Sequence, residues 1–263
     1  KKELITYSRE DSILLSGTLY LPRGYRQGER LPLILNAYPD EYTDASTAGQ
    51  VRSSPNRFIS FRGASVKYLA LQGYAVLANA SIPVIGDPET VNETYIEQLL
   101  KSVEAAINFL DDKEIIDPQR VGVIGHSYGA FMVANILAHS DLCCAGVAKS
   151  GAYNRTLTPF GFQSERRILW QAKDFYVEIS PFMNADKINE PLLLIHGEND
   201  PISGTFPMQS RRMYQALKGQ GATAKLVVLP YEGHGYYAKE SNLHVLAEII
   251  EWFDKYVKNK NFE

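Results

Sequence analysis

Apolar residues in this chain gather with two different spacings. Short, nearly continuous runs occupy residues 31–36, 74–80, 121–124, 144–149, 191–197 and 226–230, each bounded by glycine, proline or polar turn residues. Runs of that length read as buried strands. Two further strands, 4–7 and 12–21, are joined by a turn around Arg9-Glu10-Asp11. Elsewhere the spacing lengthens to three and four. Ile96, Leu99, Leu100, Val103, Ile107 and Leu110 mark one face of a long helix ending near Asp111-Asp112, and Thr90-Val91-Asn92-Glu93 ahead of it has the form of a capping box. Leu243, Leu246, Ile249, Ile250, Phe253 and Val257 mark a final helix. Helices are also expected over 64–71, stopped by Gly73, and over 205–217, closed by Gly219 and Gly221, with short ones at 166–173 and 181–187. Residues 22–28, 44–62, 81–88 and 150–163 lack a clear period and read as loops. Strand and helix alternate from residue 32 onward, which predicts an α/β fold: a doubly wound, mostly parallel sheet with helices on both faces.

Composition narrows the partners more than the fold. The 263 residues carry a net charge of −3, with 45% hydrophobic and 22% charged residues. That is ordinary globular composition at a length suited to one large α/β domain. No basic patch or long run of like charge points to nucleic acid or an anionic membrane, and no apolar run reaches the ~18 residues of a membrane span. Peptides or small molecules are the expected partners. Lys1-Lys2-Glu3 enters a strand without a signal peptide, so the chain is expected to begin inside a longer protein, and it carries no signal for compartment or oligomeric state. Cys143 and Cys144 are adjacent in an apolar run where successive side chains face opposite ways, and they read as small core residues without a redox or metal role.

One stretch carries chemistry. The strand at 121–124 leads into Gly125-His126-Ser127-Tyr128-Gly129 and at once into an apolar segment of helical character. Gly-x-Ser-x-Gly between strand and helix puts a hydroxyl at the apex of a sharp turn, where the glycines let strand and helix pass without Cβ clashes. A serine needs a base to become a nucleophile, and with this turn the expected order downstream is acid, then histidine. The strand at 191–197 is followed by Glu198-Asn199-Asp200, and the strand at 226–230 by Tyr231-Glu232-Gly233-His234-Gly235. Loops at the carboxyl ends of parallel strands converge, which brings Ser127, Asp200 and His234 to one edge of the sheet. Glu198 is the neighbouring rival to Asp200. Among the other histidines, His126 would have to double back on its own turn, His139 ends the helix after the serine, His244 lies in the final helix and His196 stands within a strand. No acid or histidine spacing suggests a metal site, and no cofactor is expected.

With those residues placed, the chain resembles the catalytic domain of the prolyl oligopeptidase family of serine peptidases, which has the α/β-hydrolase fold. The resemblance covers nearly the whole chain and is carried by Gly17-Thr18-Leu19-Tyr20-Leu21-Pro22, the Gly-His-Ser-Tyr-Gly turn, His196-Gly197-Glu198-Asn199-Asp200 and Gly233-His234-Gly235. Residues 150–162 and 180–183 are most similar to the glutamyl endopeptidase branch. Two departures stand out: Ala130 where a second glycine often follows, and Pro201-Ile202-Ser203-Gly204-Thr205 in place of an acidic, valine-bearing turn. The resemblance implies an eight-stranded sheet, a catalytic domain over 1–263 preceded by an N-terminal β-propeller, and a peptide or small protein substrate. It puts the acid at Asp200 and makes His196 structural. It also implies two oxyanion donors, the backbone N–H of Tyr128 and the hydroxyl of Tyr38. Relatives build the pocket for the residue before the cleaved bond from the loop that here runs from Tyr153 to Arg167. Phe160 and Phe162 are the candidate aromatic lining, and Arg155 the candidate partner for a glutamate or aspartate side chain. Arg166 and Arg167 are expected to tie the loop to neighbouring acids. The alternatives are a preference for proline or small apolar residues, an exopeptidase releasing dipeptides or acylated residues, a carboxylesterase on the same three residues, and a hydrolase fold used only for binding.

Overall fold

The computed structural model describes residues 1–51 and 53–260; Arg52 of the expected loop 44–62, and Asn261, Phe262 and Glu263 of the expected domain, lie outside the described residues. In chain order the strands are β1 (Lys2–Ser8), β2 (Leu14–Tyr20), β3 (Leu31–Ala37), β4 (Asp40–Tyr42), β5 (Ala75–Ala80), β6 (Pro83–Ile85), β7 (Ile116–His126), β8 (Ala145–Lys149), β9 (Leu192–Gly197) and β10 (Ala224–Leu229). The helices are α1 (Ala45–Ala48), α2 (Tyr95–Asp112), α3 (Tyr128–His139), α4 (Lys173–Glu178), α5 (Met208–Gly219) and α6 (Lys239–Phe253).

Alternation along single strands explains why the sheet must be covered twice. In β3, Leu33 and Leu35 enter one apolar cluster and Ile34 the other; in β9, Leu192 and Leu194 oppose Leu193 and Ile195 in the same way. A strand with apolar residues on both sides needs a layer on each face. One face is covered by α2, α3 and α5 through residues such as Leu99, Phe131 and Met213, the other by α6 through Val245, Ile249 and Phe253. Each such side chain contributes about 1.5–3 kcal/mol when fully buried. The eight strands follow the order β1-β2-β5-β3-β7-β8-β9-β10, parallel from β5 to β10, with β2 antiparallel to β5 and to β1. This is the expected α/β-hydrolase sheet. Strand order reverses about β3, whose neighbours are β5 on one side and β7 on the other, and a crevice opens at such a switch point.

Several expected elements differ. The loops at 44–62 and 81–88 contain α1 and β6, and β6 pairs in parallel with β4 as a separate two-stranded sheet. Residues Val66–Gln72 form a 3-10 helix rather than an α-helix, stopped as expected by Gly73 in the left-handed region at φ 92°. The capping box does not form: Val91–Thr94 makes a 3-10 turn before α2, and the Glu93 carboxylate is drawn instead to Arg167 at 2.6 Å. Nor is there a helix at 166–173. Arg166 and Arg167 are held by Glu89, Glu93 and Glu165, and helix begins only at Lys173 in α4. Pro181–Lys187 is a 3-10 helix, and after α6 the chain continues through a π turn over Asp254–Lys258.

Candidate active site

Between the end of β7 at His126 and the start of α3 at Tyr128 stands Ser127 alone, with φ 59° and ψ −116°. A non-glycine residue there is strained by about 1–3 kcal/mol and persists only where its surroundings over-determine it. They do: a Cβ on Gly125 would overlap the backbone carbonyl of Gly129, so strand and helix cross at bare-backbone distance. The Ser127 N–H is fixed to the Lys149 carbonyl of β8 at 2.8 Å. The next N–H, that of Tyr128, opens α3 and has no acceptor within the helix.

The acid and histidine loops leave β9 and β10 locked together, since a Cβ on Gly197 would overlap the carbonyl of Gly233. Asp200 is buried and gathers its partners on one oxygen. Its Oδ2 lies 2.8 Å from His234 Nδ1, accepts from Thr205 Oγ1 at 3.0 Å and lies 3.1 Å from His196 Nε2; Oδ1 accepts the Ile202 N–H at 3.0 Å. Burial alone would raise the Asp200 pKa, but these hydrogen bonds, led by that of His234, hold it below the ordinary carboxylate value. His196 Nε2 also faces the Thr205 carbonyl at 2.6 Å, which only an N–H can satisfy, so Nε2 carries a proton; in the neutral ring Nδ1 then accepts from Ser210 Oγ at 2.6 Å. Burial depresses its pKa, which favours that neutral ring. With Asp200 facing His234 Nδ1, the other ring nitrogen is left free to act as a base.

His126 does not compete for that task. Its ring packs on His234 at 4.8 Å between centroids, and burial first, then Lys149 and His234, push its pKa down to about 3.

Ser127, Tyr128, Arg155, Phe160 and Phe162 line one cavity of about 450 Å³. Arg155 is fixed at the head of a 3-10 turn whose preceding backbone is pinned by Gln209, and its own N–H donates to Ser180 Oγ at 2.9 Å. Its guanidinium is buried against aromatic faces, 4.2 Å from the Phe131 centroid, 4.3 Å from that of Phe162 and 5.5 Å from that of Tyr128. Its Nε has no hydrogen-bond partner, and among the described residues no carboxylate lies within ion-pair distance. Burial lowers its pKa; Tyr128, Tyr95 and Glu41 oppose that shift without closing an ion pair. Phe160 is largely exposed at the cavity mouth beside Trp170. Arg166 and Arg167 are occupied by acids, as the sequence suggests. Tyr38, half exposed beyond the end of β3, sets its ring edge-on to Tyr128, with centroids 5.9 Å apart.

Sequence reasoning missed two members of this region. Thr205 belongs to the segment that departs from the family pattern, and it is that segment which supplies the hydroxyl on Asp200. Glu41 accepts from Tyr128 Oη at 2.7 Å and Ser164 Oγ at 3.3 Å, joining the elbow helix to the aromatic loop; burial raises its pKa. Neither carries a local signal, because both partnerships are tertiary. Among the described residues no group of three or more His, Cys, Asp or Glu could hold a metal ion, and no helix is long and apolar enough to cross a membrane.

Comparison with known proteins bears on this geometry. The model of the prolyl oligopeptidase family matches residues 89–260, and that of the X-Pro dipeptidyl-peptidase (S15) family matches residues 11–156. The chain is 52% identical to a "Probable glutamyl endopeptidase, chloroplastic" of Oryza sativa subsp. japonica, over 97% of this chain and 28% of that protein. Its counterpart in Arabidopsis thaliana is 50% identical, over 97% and 27%. The chain thus spans under a third of the length of these two relatives. Among solved structures, Porphyromonas gingivalis dipeptidyl peptidase 4 shares the fold at a TM-score of 0.76 and 17% identity, over 97% of this chain and 35% of that one. Pyrococcus horikoshii acylaminoacyl peptidase does so at 0.72 and 20%, over 100% and 43%. Matched by the family model over more than half its length, and by half-identical relatives over nearly all of it, the chain belongs to the prolyl oligopeptidase family of serine peptidases.

Proposed function

We propose that this chain cuts peptide bonds through an acyl-enzyme and selects a glutamate before the cleaved bond. Ser127 Oγ attacks the carbonyl carbon as its proton passes to His234 Nε2. Asp200 holds Nδ1–H and stabilises the imidazolium without taking the proton. The oxyanion is received by the Tyr128 N–H and the Tyr38 hydroxyl. His234 then protonates the departing nitrogen, and water repeats the sequence on the ester.

The observation that carries the selectivity is Arg155: a buried guanidinium with no carboxylate partner among the described residues, in the same cavity as Ser127. A buried charge left unmatched is costly, and a carboxylate entering that cavity would match it with charge-assisted hydrogen bonds. The names of the plant relatives agree with this reading. Arg155→Met is expected to fold, since it removes an unpaired charge among aromatic rings, and to lose on the order of 10²-fold or more in kcat/KM for a glutamate peptide, with little change for its glutamine twin. Steady-state kinetics on the two peptides checks it. A preference that survives the substitution, or equal cleavage after proline or alanine, refutes the acidic pocket.

Tyr38→Phe tests the oxyanion assignment. It should lower kcat by about 10²-fold with KM little changed, the usual effect of one missing donor. Full kcat on a peptide amide would move the second donor elsewhere.

A further inference from the structure

The side of Ser127 on which the leaving peptide lies follows from proton transfer: the imidazole that receives the serine proton must hand it to the departing nitrogen, so the leaving group passes beside His234. The ring packed on His234 is that of His126, and His126 does not line the Arg155 cavity. It lines two others: one of about 420 Å³ that includes Tyr38 and Asp40, and a larger one of about 640 Å³, with Asn36 and Asn79 at the ends of neighbouring strands and Arg62, Lys67 and Lys149 as its charged residues. Among the described residues no carboxylate lines this larger cavity. Lys149 ends β8, where its carbonyl already holds the Ser127 N–H, and its Nζ has no acceptor among the described residues. Burial pushes its pKa down to about 8, an ammonium short of compensation. His126, kept neutral, adds no charge of its own.

We propose that this cavity receives a carboxylate of the leaving peptide, with Lys149 as its ion-pair partner and Arg62 and Lys67 supporting it. The carboxylate belongs either to an acidic residue just after the cleaved bond or to a free C-terminus close behind it. The inference rests on the peptidase reading above and gives its site a preference on the second side of the bond.

The test uses the intact protein and three peptides with the same glutamate before the bond. The leaving part is Gly-Gly-amide, Glu-Gly-amide or Gly-Gly with a free terminus. At least one carboxylate-bearing leaving group is expected to raise kcat/KM about 10-fold over the amide, within the range of partly desolvated charge pairs. Which of the two does so identifies the source. Lys149→Met should reduce that ratio to about 1, and Arg62→Gln, on an exposed side chain, should reduce it partly. Equal rates for the three peptides with the wild-type protein overturn the inference without any variant. In that outcome the preference for glutamate over glutamine before the bond persists, so failure here is distinct from failure of the Arg155 reading. Cleavage of none overturns both.

Discussion

Ser127→Ala is expected to abolish turnover, with kcat falling by about 10⁶-fold, the loss produced by removing the nucleophile from another serine protease. The fold should survive. The residue's anchor is its backbone N–H on Lys149, which alanine keeps, and no hydrogen bond of its hydroxyl helps to hold the turn among the described residues. Activity and thermal unfolding measured on the same sample separate the two effects. A phosphonate that esterifies active-site serines should label the wild type and not the variant. Appreciable acyl-enzyme in the variant would remove Ser127 from its role, and no labelling of the wild type would favour a hydrolase fold used only for binding.

Asp200→Asn is expected to cost about 10⁴-fold in kcat, with the fold and KM largely kept. The reason lies in the crowding of donors on one oxygen: His234, Thr205 and His196 all converge on Oδ2. If the amide presents its NH₂ to His234, the imidazole must carry its proton on Nε2, toward the serine, where it cannot act as a base. If it presents the carbonyl, the hydrogen bonds on that oxygen remain, but the NH₂ then faces the Ile202 N–H and the charge that stabilises the imidazolium is gone. Either outcome slows chemistry more than binding. Because Asp200 is held below the ordinary carboxylate range, it stays ionised where a histidine titrates, and the acidic limb of the wild-type rate profile should not belong to it. Activity of Asp200→Asn within tenfold of wild type would shift the acid to another residue, with Glu198 the first to examine.

How much of this was legible in the sequence depended on whether the signal was local. Leu33-Ile34-Leu35 and Leu192 to Ile195 announce buried strands by continuous apolar character, and the α2 and α6 faces repeat at helical spacing over enough turns to be unambiguous. The elbow is legible because its geometry requires glycine at fixed offsets from one serine. The β4–β6 pair was not, since three residues from each of two distant segments are too few to display a period. Thr90 to Glu93 had the composition of a cap, yet Glu93 found a stronger partner in Arg167, a residue no local rule can supply. The same network kept 166–173 out of a helix. In the site, three loops and a chain order pointed to Ser127, Asp200 and His234. Nothing in a single sequence could show that His196 and Thr205 would share the oxygen facing His234, or that Arg155 would be buried among rings with no ion-pair partner among the described residues.

The strain at Ser127 has a meaning for how this sequence is maintained. A backbone at φ 59° and ψ −116° suits glycine, and any side chain there forfeits about 1–3 kcal/mol of a net domain stability that is only about 5–15 kcal/mol. Under selection for durability alone, the position would drift to glycine and the turn would relax. Where a hydroxyl stands in place of the more stable residue, this chain forgoes stability at that position. Thermostabilising changes to this domain should therefore be sought away from the elbow, because there stability and hydrolysis pull the same residue in opposite directions.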